Sequence, residues 1–286
     1  MKIFNYKWIS DVYDDPHLWI SVNCKKIGLS NKVGIFLHKL FFHSVRMVLR
    51  FSDLIIVSGS QEWLSEFKID RRKISQVTNG VDTAWVDAVH TIKTKNSSDR
   101  IRICYVGHLK KFFGIETMLQ AAKKLKEEQI DFELVLIGPT EPKEEHWLTA
   151  SIQNLDLHQE VIRTGRVAHE EAISWIRSAD ICLYPFPKTK ELEHVYPIKL
   201  FEYLACGKVT ISSRLQAIES VIDHEKNGLL VNPSDSEDLA SAVIKCIRDK
   251  QLRHSIERNA LLTAKSFDWN NIMAGIMSQF HLIASK

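Results

Sequence analysis

Between residues 101 and 231, apolar and polar positions switch repeatedly between two periods. Six short runs rich in β-branched and other apolar residues predict strands: Ile101–Val106, Phe132–Ile137, Val161–Thr164, Ile181–Tyr184, Val209–Ser212 and Leu229–Val231. Between them, Ile115–Glu128, Lys143–Asn154, Glu170–Ser178, Ile198–Ala205 and a short Gln216–Ile222 segment carry apolar residues three and four apart, which lines one face of a helix. Strands alternating with helices predict an α/β fold built of βαβ units around a mostly parallel sheet. Gly107, the pair Gly138 and Pro139, Gly165 and Pro185 follow the first four strands. These chain-turning residues mark the carboxyl edge of the sheet, where an open parallel sheet places its ligand crevice.

Three further helices are predicted at Ser236–Arg248, Gln251–Ser266 and Trp269–Ala284. Ser234 and Ser236 are N-cap candidates for the first, with Asp235, Glu237 and Asp238 supplying carboxylates at its start. Before residue 100 the same pattern recurs on a smaller scale. Lys2–Trp8, Leu54–Ser58 and Ile74–Thr78 read as strands and Lys32–Arg50 as an amphipathic helix. A capping box at Ser58–Gln61 would open a helix through Glu66, and the polar Lys93–Arg100 stretch reads as a linker. A complete six-stranded domain thus follows a fragment with too few strands to close a core of ordinary size.

The 286 residues contain 38 Lys and Arg against 35 Asp and Glu, a net charge of +3 that gives no basic excess of the kind nucleic-acid binders carry. Hydrophobic residues at 45% and charged residues at 26% fit an ordinary globular protein and exclude extensive disorder. The five cysteines lie far apart with no CxxC pair, so they read as reduced, packed thiols of a cytosolic protein. No His or Cys grouping has metal-ligand spacing, so no metal is expected. The N-terminus lacks a secretory pattern, and the most apolar stretch, Ile35–Val57, is interrupted by Lys39, Arg46, Arg50 and Asp53.

Two segments could carry chemistry. In the loop Gly107–Gly114, glycines let a ligand approach the backbone, the following helix start offers free N–H groups, and Lys110 and Lys111 add two cations. The outline is a phosphate cradle, although it is neither GxGxxG nor GxxxxGK[ST]; a glycine turn with two solvated lysines fits the same residues. In Glu191–Gly207, Pro197 suits a helix start, and the N–H groups of Ile198 and Lys199 would face the crevice. Glu202, one turn beyond Ile198, could accept hydrogen bonds from a vicinal diol such as ribose, or could be a surface residue of a core helix.

Taken in order, GHLKKFFG, a strand ending in IGP, VIRTGRV, SADICLYPF, YPIKLFEYLACGKVTISS and KNGLLVNPSDSEDLA resemble the nucleotide-sugar-binding half of retaining family-4 glycosyltransferases with the GT-B fold. TNGVDT at Thr78–Thr83 is similar to their hinge tract, and SFDWNNI at Ser266–Ile272 to the start of their closing helix. The resemblance implies a GT-B-like chain: a truncated N-terminal Rossmann-like domain at 1–91, a donor domain at 92–266, and a C-terminal helix at 267–286 crossing back to the N-terminal part.

It further implies that Glu202 binds the donor ribose as the second Glu of the family's Glu-x7-Glu element, while His194 occupies the place of the first, with Glu193 one residue off register. His108 and Phe113 stand where the family has the Arg and Lys that neutralise the diphosphate, leaving Lys110 and Lys111 as substitutes. Gly165, Arg166 and Val167 would frame the nucleobase. The implied reaction is transfer of a sugar from a nucleoside diphosphate sugar, with retention and without a metal, to a polysaccharide or glycolipid acceptor in cell-surface polysaccharide synthesis.

YDDP at Tyr13–Pro16 resembles an internal segment of the family's N-terminal domain, so Met1 would fall partway through the acceptor half, which a partner chain could supply. The basic, aromatic Lys25–Arg50 segment could lie on the inner face of a membrane beside a lipid-linked acceptor, or simply pack on the sheet with its basic face in water. Two other functions remain open at this level: a noncatalytic subunit of a split glycosyltransferase, and an inactive gene fragment.

Overall fold

A computed structural model of the chain describes residues 7–12, 31–58, 67–89, 100–190 and 192–285. The chain divides into two compact units, one of Met1–Asn79 with Asn270–Lys286, the other of Gly80–Trp269.

In the first unit, β1 (Ile9–Val12), β2 (Leu54–Ser58) and β3 (Ile74–Val77) form a parallel sheet in that order. Helix α1 (Asn31–Phe51) lays Phe42, Val45 and Leu49 against Ile55, Val57 and Phe67, and the rings of Phe42 and Phe67 stack at 4.2 Å. Its Leu40, Phe41, Met47, Val48 and Phe51 are exposed. Among the described residues no helix is long and apolar enough to cross a membrane.

Of the strand expected at Lys2–Trp8 only Lys7 and Trp8 are described, and both precede β1. Trp8 donates its N–H to the Asp53 carboxylate (2.7 Å) and accepts from the Asp53 N–H (2.7 Å), so the ladder begins only at the next residue, Ile9 opposite Leu54. Residues 2–6, the capping-box helix after Ser58 and the linker up to residue 99 lie outside the described residues.

The second unit opens with α2 (Thr83–Ala88), a helix the hydrophobic pattern does not announce; Asp82 caps it by accepting the Trp85 N–H at 2.8 Å. There follow β4 (Ile101–Val106), α3 (Ile115–Glu127), β5 (Phe132–Ile137), α4 (Pro142–Asn154), β6 (Val161–Gly165), α5 (His169–Ser178) and β7 (Ile181–Tyr184). The chain continues through α6 (Ile198–Ala205), β8 (Val209–Ser213), α7 (Gln216–Glu219), β9 (Leu229–Val231), α8 (Ser236–Arg248) and α9 (Lys250–Ser266), and ends in α10 (Trp269–Ala284), most of which belongs to the first unit.

All six strands pair in parallel, in the order β6-β5-β4-β7-β8-β9. Successive strands grow outward from β4 in one direction and from β7 in the other. The switch point where a doubly wound sheet opens its crevice therefore lies between the carboxyl ends of β4 and β7.

Two local expectations change. The segment expected to be helical over Gln216–Ile222 stops at Glu219. The cap of α8 is Asp235, whose carboxylate accepts from the Glu237 and Asp238 N–H groups at 3.0 Å, while Ser234 before it takes a left-handed φ of 61°. A carboxylate satisfies two donors and meets the positive helix end, which a serine hydroxyl cannot do as well.

The core of this unit includes one ion pair. Arg102 of β4 and Glu133 of β5 stand in register, both buried, with the guanidinium on the Glu133 carboxylate and over the Trp175 ring (5.3 Å). Removing one member of such a pair strands the other charge in a low dielectric. Glu133→Ala should lower the unfolding free energy by about 3–5 kcal/mol, and Arg102→Met combined with Glu133→Leu should recover most of the loss, as read from urea unfolding.

Candidate functional site

At the switch point the backbone is crowded. Gly107 follows β4 with φ 146° and Gly138 follows β5 with φ 136°. A Cβ on Gly138 would overlap the Gly107 carbonyl, and a Cβ on Gly107 would overlap the Lys199 ammonium. Gly107 itself donates to the Ile137 carbonyl at 2.9 Å. Gly138 is thus set by close approach to backbone, and Gly107 by a positive φ that strains any L side chain.

Lys199 comes from the first turn of α6, whose N-cap is Pro197. The leading N–H groups of a helix have no intrahelical acceptor, so Ile198, which is exposed, and Lys199 present theirs at this edge. The Lys199 side chain is half-buried. Its Nζ lies 4.9 Å from the ring centre of Tyr105, 5.4 Å from that of Phe186 and 5.8 Å from that of Tyr184. Burial lowers its pKa to about 8, against the opposing pull of the Glu202 carboxylate. Burial also pushes the hydroxyls of Tyr105 and Tyr184 upward, so the aromatic floor stays neutral.

One turn along α6, Glu202 is buried, and its Oε1 lies 2.6 Å from Nε2 of His169, the first residue of α5. The exposed His169 ring rests on Trp85 of α2 at 4.5 Å. Gly165, with φ 70°, and Arg166 are exposed in the turn between β6 and α5, and Val167 packs against the core.

The loop lysines have other partners. Lys110 pairs with Glu141; Lys111 pairs with Glu116 at 3.1 Å and donates its N–H to Glu144 at 3.4 Å. Lys111 lines a separate cavity of about 360 Å³ with Phe112, Thr117 and Gln120. His108 is exposed and its carbonyl accepts from the Tyr105 hydroxyl at 3.3 Å, while Phe113 stacks on Phe186 at 5.0 Å. His194 is half-buried in the turns before α6, and its neighbour Glu193 pairs with Lys188 at 3.1 Å. The structure therefore gathers Gly107, Lys199 and Glu202 with the start of α6, adds His169, and leaves Lys110 and Lys111 bound to carboxylates of their own.

Sequence reasoning passed over His169, Trp85 and the Lys199 ammonium. Only the last had a signal: Lys199 and Glu202 are three apart, hence on one helical face. Among the described residues no group of three or more His, Cys, Asp or Glu side chains could hold a metal ion.

Comparison with known proteins defines the class. Residues 89–262 match the family described as Glycosyl transferases group 1, and the chain belongs to that family. It is 24% identical over 250 residues to the uncharacterized glycosyltransferase MJ1069 of Methanocaldococcus jannaschii, covering 84% of this chain and 60% of that protein. It is 22% identical over 255 residues to a D-inositol 3-phosphate glycosyltransferase of Pseudarthrobacter chlorophenolicus, covering 87% and 58%. The chain thus spans about three fifths of the length of these relatives.

Among solved structures, a glycosyltransferase from Rickettsia africae superposes with a TM-score of 0.76 at 19% identity, covering 99% of this chain and 72% of that one. Anabaena Alr3699/HepE in complex with UDP and glucose superposes with a TM-score of 0.71 at 18% identity, covering 97% and 72%. The fold is that of GT-B glycosyltransferases, with one six-stranded and one smaller three-stranded parallel sheet.

The desolvated lysine has a consequence for stability. Its pKa of about 8 in the folded protein lies below the usual 10.5, so the unfolded chain binds more protons between these values and stability rises with pH there. Lys199→Met should therefore be more stable than the wild type below about pH 8, the gap closing as pH approaches 10.5. Urea unfolding across this range checks the sign.

Proposed function

We propose that this chain binds a nucleoside diphosphate sugar at the switch point of its larger sheet and serves as the donor half of a retaining glycosyltransferase. The observation that carries the reading is the buried Glu202 carboxylate, on the same helix whose free N–H groups open at the carboxyl ends of β4 and β7. The ribose diol would donate to Glu202, with His169 holding the carboxylate in place from its other side. The diphosphate would lie against the start of α6 and Gly107, where amide hydrogens and the helix dipole favour negative charge. The turn Gly165–Val167 stands beside the start of α5 and would frame the base.

In the reaction the anomeric carbon exchanges its bond to a diphosphate oxygen for one to an acceptor hydroxyl oxygen, whose proton is released. Charge grows on the departing diphosphate, and groups fixed around it in advance stabilise it without reorganisation. Retention, a polysaccharide or glycolipid acceptor, and action at the cytoplasmic face of a membrane follow from the family resemblance. The UDP and glucose bound by the Anabaena protein support a nucleotide-sugar donor here.

Isothermal titration with UDP, GDP and ADP tests the site. At least one should bind, and Glu202→Ala should weaken it by about 1.5–3 kcal/mol, or about 10- to 150-fold. Unchanged affinity in that variant removes the ribose assignment.

A further inference from the structure

We propose that the Lys199 ammonium is the cation that meets the donor diphosphate in this protein, the task the sequence pattern gives to Lys110 and Lys111. The inference rests on the nucleotide reading above and adds to it the identity of the charge.

Three observations converge on Lys199. First, its place: Tyr105 is the last but one residue of β4, Tyr184 ends β7, and the ammonium sits over both rings, hence at the switch point itself. Second, its lack of a counter-ion: among the described residues no carboxylate lies within ion-pairing distance of its Nζ, whereas Lys110 and Lys111 are each already paired. Aromatic faces compensate a desolvated cation only in part, so the pocket is left short of negative charge. Third, its neighbour: the ammonium lies against Gly107, the first residue of the loop that follows β4. His108 and Phe113 bring no fixed charge to the loop, and an ammonium from the opposite side of the crevice replaces one.

Among the described residues the charged and titratable groups facing Lys199 are few. Glu202 is on its own helix, with His169 bonded to it; Tyr105 and Tyr184, from β4 and β7, remain protonated, and His108 follows Tyr105 in the loop. A bound diphosphate would hold the proton on Lys199 well above its free value of about 8. The phosphate groups themselves ionise near pH 6 and take no part in titration above neutrality. Diphosphate binding near pH 8 to 9 should therefore take up a proton from solvent, and affinity should fall about tenfold between pH 7 and pH 9.

The test titrates the wild type and Lys199→Met with UDP, GDP and ADP, and with uridine, guanosine and adenosine, at pH 7 and pH 9. Buffers of different ionisation enthalpy report the proton uptake. For whichever diphosphate binds the wild type, Lys199→Met should bind about 10- to 150-fold more weakly at pH 7, bind the matching nucleoside as the wild type does, and lose the pH dependence. Equal diphosphate affinity in the variant, or binding by the wild type at pH 8 to 9 without proton uptake, overturns the assignment of Lys199 and leaves the nucleotide site standing. Absence of binding of every nucleoside diphosphate to the wild type overturns both. The proton-uptake measurement needs no variant and decides the matter even if Lys199→Met fails to fold.

Discussion

An ammonium enclosed by three aromatic rings, at the point where two half-sheets diverge, is the contact that organises this site. It lies against Gly107, joins the first turn of α6 to the end of β4, and is followed one turn later by a buried carboxylate on the same helix. Each of these is a packing consequence of parallel strands that reverse their order at β4 and β7. The glycine ends of β4 and β5 complete the floor, since the backbone of one passes too close to the other for any Cβ.

Charge elsewhere in the larger unit is more nearly balanced. Arg102 faces Glu133, Lys110 faces Glu141, Lys111 faces Glu116, and Arg253 meets Asp180 at 2.7 Å. Against that background a half-buried lysine with no carboxylate within ion-pairing distance among the described residues is an exception that the fold maintains at a cost in stability. On the proposed reading the cost has a purpose, because a cation already paired with a carboxylate has less to offer a diphosphate.

Much of the fold was legible in the chain. The six strands of the larger sheet are short runs rich in apolar residues, and four of them begin and end where the apolar pattern places them. One misreading arose where a side chain outbid the pattern: Asp235 took the cap from two serines. At the site, the proline start of α6 and the Glu202 one turn later follow from local spacing. The pairings of Lys110 with Glu141 and of His169 with Trp85 join elements distant in sequence, and no local pattern encodes them. The position of the Lys199 ammonium depends likewise on rings contributed by β4 and β7.

The most direct measurement is diffraction from crystals of the chain grown with the nucleoside diphosphate that binds it most tightly. The account places the ribose diol within hydrogen-bonding distance of Glu202, about 2.5–3.2 Å, with a phosphate oxygen at similar distance from Lys199 Nζ and beside Gly107. Nucleotide density in the cavity beside Lys111 and Phe112, or phosphates held by the loop lysines with Lys199 untouched, would contradict it.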